Sequence, residues 1–322
     1  MSDFSHHYPP SSLPSAVEIS VPPDRPRKLL PAILFLASVC TTTLAGIIWY
    51  AGFVGSASLE VGNFLDLLTD PSYLIGGLSF SVSILVILVA HELGHYLTCV
   101  RYGIRATLPH LIPVPPPVSP FGTFGAVIKI KSLFENTRQL FDVGIAGPLA
   151  GFVFILPALV FGLVYSREFV MDGTSGVYFN FGEPLLLKIA SHILLPNTNA
   201  DITLHPVGWA AWFGMLATSL NLLPIGQLDG GHIVYAVLGR RGHRIVSFAT
   251  LGVLLVLGAT LWLGYLLFGA LVFFLGFRHP PTAYAYPSLG RARILLAILA
   301  LIVLILTFIP VPIDIVEYTN RL

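Results

Sequence analysis

A metal-site motif next to a membrane-length apolar stretch constrains this chain more than any other feature of its sequence. Residues 73–90 (YLIGGLSFSVSILVILVA) contain no charged residue, and this length and composition predict a transmembrane helix. The stretch leads directly into His91-Glu-Leu-Gly-His95. On a helix the two histidines share one face, about 6 Å apart at Cβ, and this spacing can hold a zinc ion.

Glu92 lies between the two histidines and one step round the predicted helix. In zinc hydrolases a glutamate at this position takes a proton from a metal-bound water. A purely structural polar cluster is the alternative. However, an ionisable side chain at mid-membrane costs ~2.5–3.5 kcal/mol on insertion scales, and the sequence places no Lys or Arg beside Glu92. A metal site is therefore the favoured interpretation.

The composition indicates a membrane protein. Of the 322 residues, 55% are hydrophobic and 10% are charged, whereas soluble domains carry about 25% charged residues. The net charge of +1 provides no global field for nucleic acid, so we expect no nucleic-acid partner. Cys40 and Cys99 fall in separate apolar segments and predict neither a disulfide framework nor a cysteine zinc site.

The apolar segments predict an all-α polytopic membrane protein with about seven transmembrane helices. Residues 1–28 are polar and proline-rich and predict a disordered cytoplasmic tail, and residues 29–322 then form one membrane-embedded domain. Pro224 and Gly226 must interrupt the fourth span. The predicted spans are residues 29–50, 73–100, 141–165, 207–238, two short helices within 245–277 that separate near Gly264, and 294–309.

Positive charge orients these spans. With the N-terminus in the cytoplasm, all Lys and Arg residues except Arg167, Lys188 and Arg321 fall on the inner side, as the positive-inside rule requires. The second span then ends, with the histidine motif, toward the cytoplasm. We expect a multi-pass integral membrane protein, and a compact chain without a targeting peptide favours a bacterial inner membrane.

The connection between the second and third spans has a pattern of its own. Residues 108–120 (LPHLIPVPPPVSP) contain too much proline for a helix, and residues 122–131 (GTFGAVIKIK) alternate as a strand does. Lipid would leave the backbone of such a segment unpaired. The pattern therefore predicts a small membrane-associated β or re-entrant element tucked against protein, and a plain cytoplasmic loop is the alternative.

Small residues open the third span. Gly147 and Gly151 are four residues apart and form a small-xxx-small face, which favours close helix packing. We interpret this face as scaffold without a chemical role.

Asp229 is the candidate for the third protein ligand that a catalytic zinc requires. It lies in the segment from Asn221 to His232 (NLLPIGQLDGGH), beside two glycines and before a helical run. The same position also suits an N-cap of that helix. Spacing alone leaves both roles open.

Taken together, the motifs resemble a known family. HELGH in one apolar segment, AGPLAG in the next and NLLPIGQLDGGH after that resemble the site-2 proteases, the intramembrane zinc metalloproteases of peptidase family M50. FGTFGAVI and RHPPT strengthen the resemblance. It implies that zinc is bound by His91, His95 and Asp229. It also implies that Glu92 is the catalytic acid/base, that Asn221 lies by the substrate or the developing oxyanion, and that the strand-like segment lines the entry path.

The resemblance further implies a zinc metalloendopeptidase acting in regulated intramembrane proteolysis. Its partners would be the lipid bilayer and transmembrane protein substrates, cleaved in or near their membrane spans; the sequence does not predict an oligomeric state. Three alternatives remain. A membrane protease of the prenyl-protein or heat-shock type would use a glutamate as third ligand. A metal transporter would need polar residues along several spans, and a catalytically silent relative would act as a membrane binding protein.

Overall fold

The computed structural model describes residues 29–55, 67–168, 176–196, 202–277, 282 and 289–318. The predicted tail, residues 1–28, lies outside the described residues, as do residues 278–281 of the RHPPT motif. The helices are α1 (Leu29–Val54), α2 (Pro71–Arg101), α3 (Thr137–Val164), α4 (Leu185–Leu194), α5 (Pro206–Leu222), α6 (Asp229–Thr260), α7 (Gly264–Gly276) and α8 (Gly290–Thr307). The strands are β1 (His110–Pro113), β2 (Thr123–Val127), β3 (Arg167–Glu168), β4 (Gly176–Phe181), β5 (Ile202–Thr203) and β6 (Ile313–Tyr318).

Long apolar helices dominate the described part of the chain. Five of them, α1, α2, α3, α6 and α8, are long and apolar enough to cross a membrane. This finding confirms an all-α membrane protein. The count is lower than the predicted seven because the fourth predicted span is divided between α5, which has 17 residues, and the start of α6. In addition, α7 has only 13 residues.

The helix breaks lie where the sequence predicted them. α5 ends at Leu222 and α6 begins at Asp229, so Pro224 and Gly226 do interrupt the fourth predicted span. A second predicted break is confirmed between the end of α6 and Gly264. Within α6, Gly239 has φ 68° and ψ −177°, which only glycine adopts readily. It divides α6 into two helical stretches, residues 229–238 and 240–260.

The proline-rich connection forms a β-hairpin. β1 pairs with β2 in antiparallel register, with His110 opposite Val127 and Leu111 opposite Ala126. The strand predicted from residues 122–131 is thus confirmed over Thr123–Val127, and its partner is the preceding proline-rich segment. Two further two-stranded sheets pair β3 with β5 and β4 with β6.

The core is built around α2, which packs against α1, α3 and α5. The side chains of Phe80 and Ile84 on α2 meet Ile155 of α3 and Trp212 of α5 in one buried cluster. Gly77 allows α1 to approach closely, since a methyl group there would lie 2.6 Å from Ile47 Cγ1 and 2.8 Å from the Thr43 carbonyl. This packing holds the HELGH end of α2 against α3.

The first prediction concerns this helix contact. Gly77→Ala should lower the free energy of unfolding by about 1–3 kcal/mol, because the added methyl group forces α1 and α2 apart. The measurement is the thermal unfolding midpoint of the purified protein in detergent micelles. Gly52→Ala is the matched control, since a methyl group there meets nothing within 4 Å. Equal midpoints for the two variants would contradict the prediction.

Candidate metal centre

The HELGH motif is helical, as the sequence predicts. α2 begins at Pro71, after Asp70 has capped the helix by accepting a hydrogen bond from the Ser72 backbone N–H at 2.8 Å. It continues without a break to Arg101. His91 and His95 therefore lie about one turn apart, Glu92 follows His91 directly, and all three side chains are buried.

Three potential ligand atoms converge at this end of α2. The Nε2 atoms of His91 and His95 lie 3.1 Å apart, and Asp229 Oδ2 lies 3.1 Å from the first and 3.3 Å from the second. Atoms placed tetrahedrally about 2.0–2.1 Å from a zinc ion are about 3.3 Å from one another. The three side chains are therefore spaced as three corners of one coordination sphere.

The tautomer of His95 agrees with metal binding. Its Nδ1 donates a hydrogen bond to the Val143 carbonyl at 2.7 Å. A neutral imidazole that donates through Nδ1 has a free lone pair on Nε2, and this Nε2 faces His91 and Asp229. Such a backbone partner is typical of metal-binding histidines because it fixes ring orientation. Two imidazoles and a carboxylate are a donor set that suits Zn²⁺.

Asp229 does not cap α6. The N-cap residue is Leu228, Asp229 is the first helical residue, and no side chain makes the cap hydrogen bond. The carboxylate instead faces the two histidines, so the capping alternative is wrong. Gly230 packs against the Leu222 carbonyl and Gly231 against the Gly226 carbonyl, which explains why glycines follow Asp229.

The glycine face of α3 contributes to this site, and our interpretation of it as scaffold alone was incomplete. A methyl group on Gly147 would collide with the imidazole of His95, and one on Gly151 would lie 3.2 Å from His91 Cβ. The two glycines thus leave room for the two histidine rings. The sequence contains a signal of this match, because the two histidines and the two glycines are each four residues apart.

Glu92 and Asn221 have different degrees of structural support. β2 packs against α2, and Glu92 of α2 lies near the Ile128 backbone, one residue beyond the end of β2. Asn221 is partly buried in the last turn of α5, one residue before the Leu222 carbonyl that packs against Gly230. Both catalytic roles stay predictions.

The model of peptidase family M50 matches residues 79–265, which is more than half of the chain. The chain belongs to peptidase family M50. The matched range contains the histidines, Glu92, Asn221 and Asp229. Among the described residues, the one group positioned to hold a metal is His91, His95 and Asp229, and it contains no glutamate that would serve as the third ligand of the prenyl-protein or heat-shock class.

Several plant relatives resemble this M50 protein. It is 29% identical to "Probable zinc metalloprotease EGY1, chloroplastic" of Arabidopsis thaliana, over 87% of this chain and 52% of the relative. It is 28% identical to the protein of the same name from Oryza sativa subsp. japonica, over 86% and 49%. "Probable zinc metalloprotease EGY2, chloroplastic" of Arabidopsis thaliana is 32% identical over 59% and 33%.

The coverage and names of these relatives limit what the M50 match shows. The chain spans about half the length of both EGY1 relatives and a third of EGY2. Their names place those proteins in chloroplasts, which does not support the predicted bacterial inner membrane. A membrane protein of family M50 is the finding.

An ion pair that the sequence analysis missed lies beside the M50 metal centre. Arg293 of α8 donates two hydrogen bonds to Asp142 of α3, at 2.7 Å and 2.6 Å, and Tyr102 donates a third. Burial and this hydrogen bond raise the pKa of the Tyr102 phenol, so it keeps its proton. Asp142 precedes Val143, the partner of His95. The only signal was a lone carboxylate in an apolar helix.

The second prediction concerns the glycine face of α3. Gly147→Ala should weaken zinc binding by about 10- to 100-fold, the usual effect of disturbing a ligand's supporting contacts, because the methyl group displaces the His95 ring. The measurement is zinc content after competition with a graded series of chelators.

Gly252→Ala is the control, because a methyl group there meets nothing within 4 Å and the position is likewise helical. If Gly147→Ala retained zinc as the parent does, the position of the His95 ring would not depend on the space beside Gly147.

Proposed function

We propose that this chain is a zinc metalloendopeptidase that hydrolyses peptide bonds in or near the transmembrane segments of other membrane proteins. The main observation in support of this proposal is that His91, His95 and Asp229 converge beside Glu92. They do so at the end of a helix that is long and apolar enough to cross a membrane. Membership of family M50 and the names of the plant relatives support the same activity. In this proposal the described residues from Leu29 onward form a single membrane-embedded domain.

The site's residues would divide the reaction between them. A zinc ion held by the two histidines and Asp229 supplies a Lewis acid for the scissile carbonyl and the attacking water. Glu92 takes a proton from that water onto a carboxylate oxygen and passes it to the leaving amine. Asn221 donates a hydrogen bond to the developing oxyanion. Val143 keeps His95 in the tautomer that this division requires.

The hairpin is the proposed binding element for substrate. A transmembrane helix hides its carbonyls in its own hydrogen bonds, so a substrate must become extended before water can attack. β2 belongs to a two-stranded sheet, and one edge of it has no strand partner within that sheet. Glu92 lies near the Ile128 backbone just beyond its end. An extended substrate that pairs with β2 would thus be brought to the proposed base by main-chain hydrogen bonds.

We also propose that the hairpin is re-entrant. Its tip lies beside the second half of α1: a methyl group on Gly122 would meet Thr41, and Trp49 Nε1 donates to the Pro120 carbonyl at 2.8 Å. Trp49 is about 30 Å along the helix axis from Leu29, at 1.5 Å per residue. If α1 crosses the bilayer, these contacts carry the hairpin tip past its midplane.

The seven-crossing topology belongs to this proposal. α5 and residues 229–238 would form the fourth crossing, with residues 240–260, α7 and α8 as the last three. Gly239 and the break before Gly264 supply the two reversal points. The basic residues near Gly239 would then face the cytoplasmic side, as would the metal centre. The bacterial inner membrane stays a prediction without support from the relatives.

The third prediction tests this topology. In a Cys40→Ala/Cys99→Ala background, Arg241→Cys and Lys188→Cys should react with a membrane-impermeant maleimide from opposite sides of sealed vesicles. Both side chains are exposed. A single unbroken crossing by α6 would place residue 241 inside the bilayer and leave it unlabelled. Val118→Cys, at the exposed hairpin tip, tests re-entry, because labelling from the cytoplasmic side would show a plain loop.

The fourth prediction tests catalysis. Glu92→Gln should retain zinc and reduce cleavage by at least about 100- to 10,000-fold, because the amide cannot accept the water's proton. The measurement is cleavage of a panel of tagged single-span reporters in liposomes, with bound zinc assayed in the same samples.

Asp229→Ala is the contrasting variant and should lose zinc as well as cleavage. A Glu92→Gln protein that cuts at the parental rate would overturn the base assignment, and an Asp229→Ala protein with full zinc would overturn the ligand assignment. If the parent holds zinc and cuts nothing in the panel, the silent-relative alternative is favoured.

A further inference from the structure

A groove of about 870 Å³ lies between the second stretch of α6 and the end of α7. Its volume is within the ~300–1,000 Å³ of small-molecule sites. The groove is separate from the metal centre, since the residues that line it include none of the three metal ligands. Its lining extends from Gln227 and Tyr235 to Gly276 and Phe277 at the end of α7.

Two kinds of side chain line this groove. Arg240 and Arg244 lie four residues apart, and so on one face of α6. Both are exposed, and the ion pairs found among the described residues do not include them. The apolar part contains Phe248, which is 55% exposed, and Phe274, which is 82% exposed. The groove thus combines exposed aromatic surface with two positive charges that form no ion pair within the described part of the chain.

We propose that this groove binds one anionic phospholipid, with its phosphate between Arg240 and Arg244 and an acyl chain along Phe248, Phe273 and Phe274. A small soluble anion would satisfy the two arginines and leave the phenylalanine rings uncovered. A neutral lipid would cover the rings and leave the charges unpaired. Basic pockets between transmembrane helices on the cytoplasmic side bind anionic headgroups, and the proposed topology places these arginines on that side.

The wall of the groove also holds the turn that precedes Asp229. His243 and Ser247 line the groove; His243 Nε2 donates to the Gly226 carbonyl at 2.9 Å, and Ser247 Oγ accepts from the Gly226 N–H at 3.3 Å. On the other side, a methyl group on Gly226 would meet the Gly276 carbonyl at 2.6 Å. A lipid that bridges α6 and α7 therefore stabilises the Gly226 turn. An effect of this lipid on the metal centre rests on the proposed zinc site, whereas lipid binding itself does not.

The test measures lipid binding directly. The delipidated 322-residue chain in neutral detergent is titrated with dioleoyl phosphatidylglycerol, and bound lipid is counted by native mass spectrometry. Arg240→Gln/Arg244→Gln should bind about 25-fold more weakly, since each arginine near an anionic headgroup contributes about fivefold. Arg241→Gln is the matched control. It removes an exposed neighbouring charge that does not line the groove, and should change affinity by no more than about twofold.

Two further arms keep the result decisive. Arg240→Lys/Arg244→Lys keeps both charges and should stay within about fivefold of the parent, which separates charge from misfolding. Dioleoyl phosphatidylcholine should bind far more weakly than phosphatidylglycerol. The proposal is overturned if the two lipids bind alike, if Arg241→Gln weakens binding as much as the double variant, or if inorganic phosphate alone displaces the lipid.

The consequence for the metal centre has its own readout. Phosphatidylglycerol should slow the loss of zinc to a chelator in the parent and not in Arg240→Gln/Arg244→Gln. If lipid binds as expected and zinc loss is unchanged, the binding site stands and its coupling to the Gly226 turn is refuted. Neither readout depends on cleavage, so a failure of the proposed protease activity is distinguishable from a failure of this inference.

Discussion

The burial of two imidazoles and a carboxylate in an apolar helix bundle is the constraint on which the rest of this structure depends. Such groups cost free energy in a low-dielectric environment unless they are paired. Here His91, His95 and Asp229 approach one another within 3.1–3.3 Å, so one cation can satisfy all three. The Val143 carbonyl satisfies the remaining polar atom of His95. The helices around the site are arranged to make this convergence possible.

The helices around the site reach these positions because their backbones approach one another closely at glycines. Gly147 and Gly151 leave the space that the histidine rings fill on α3, and Gly230 lets the start of α6 pack against the end of α5. In a membrane, where helices gain little from burying apolar surface against one another, small residues favour close packing. Here the same small residues also leave room for the side chains of the candidate metal site, so helix packing and the geometry of that site depend on the same positions.

Two elements outside the metal centre lie beside it. The hairpin lies near Glu92 at the Ile128 backbone, and the groove between α6 and α7 is lined by residues that bond the Gly226 turn, three residues before Asp229. One contact bears on how a substrate would be held, and the other on how firmly a ligand is positioned. An extended peptide and a bound lipid would therefore act on different ligand-bearing helices of the same centre.

The sequence by itself determined the features that depend on neighbouring residues. A charge-free run of membrane length predicts α2, and Pro224 and Gly226 end α5, because helix formation and interruption are local properties. Only the tertiary structure showed that Asp229 does not cap α6 and instead faces His91, which is 138 residues away. It alone revealed what Gly147 makes room for and the ion pair between Asp142 and Arg293, 151 residues apart. Those contacts depend on how helices pack, and no local pattern specifies which distant side chains meet.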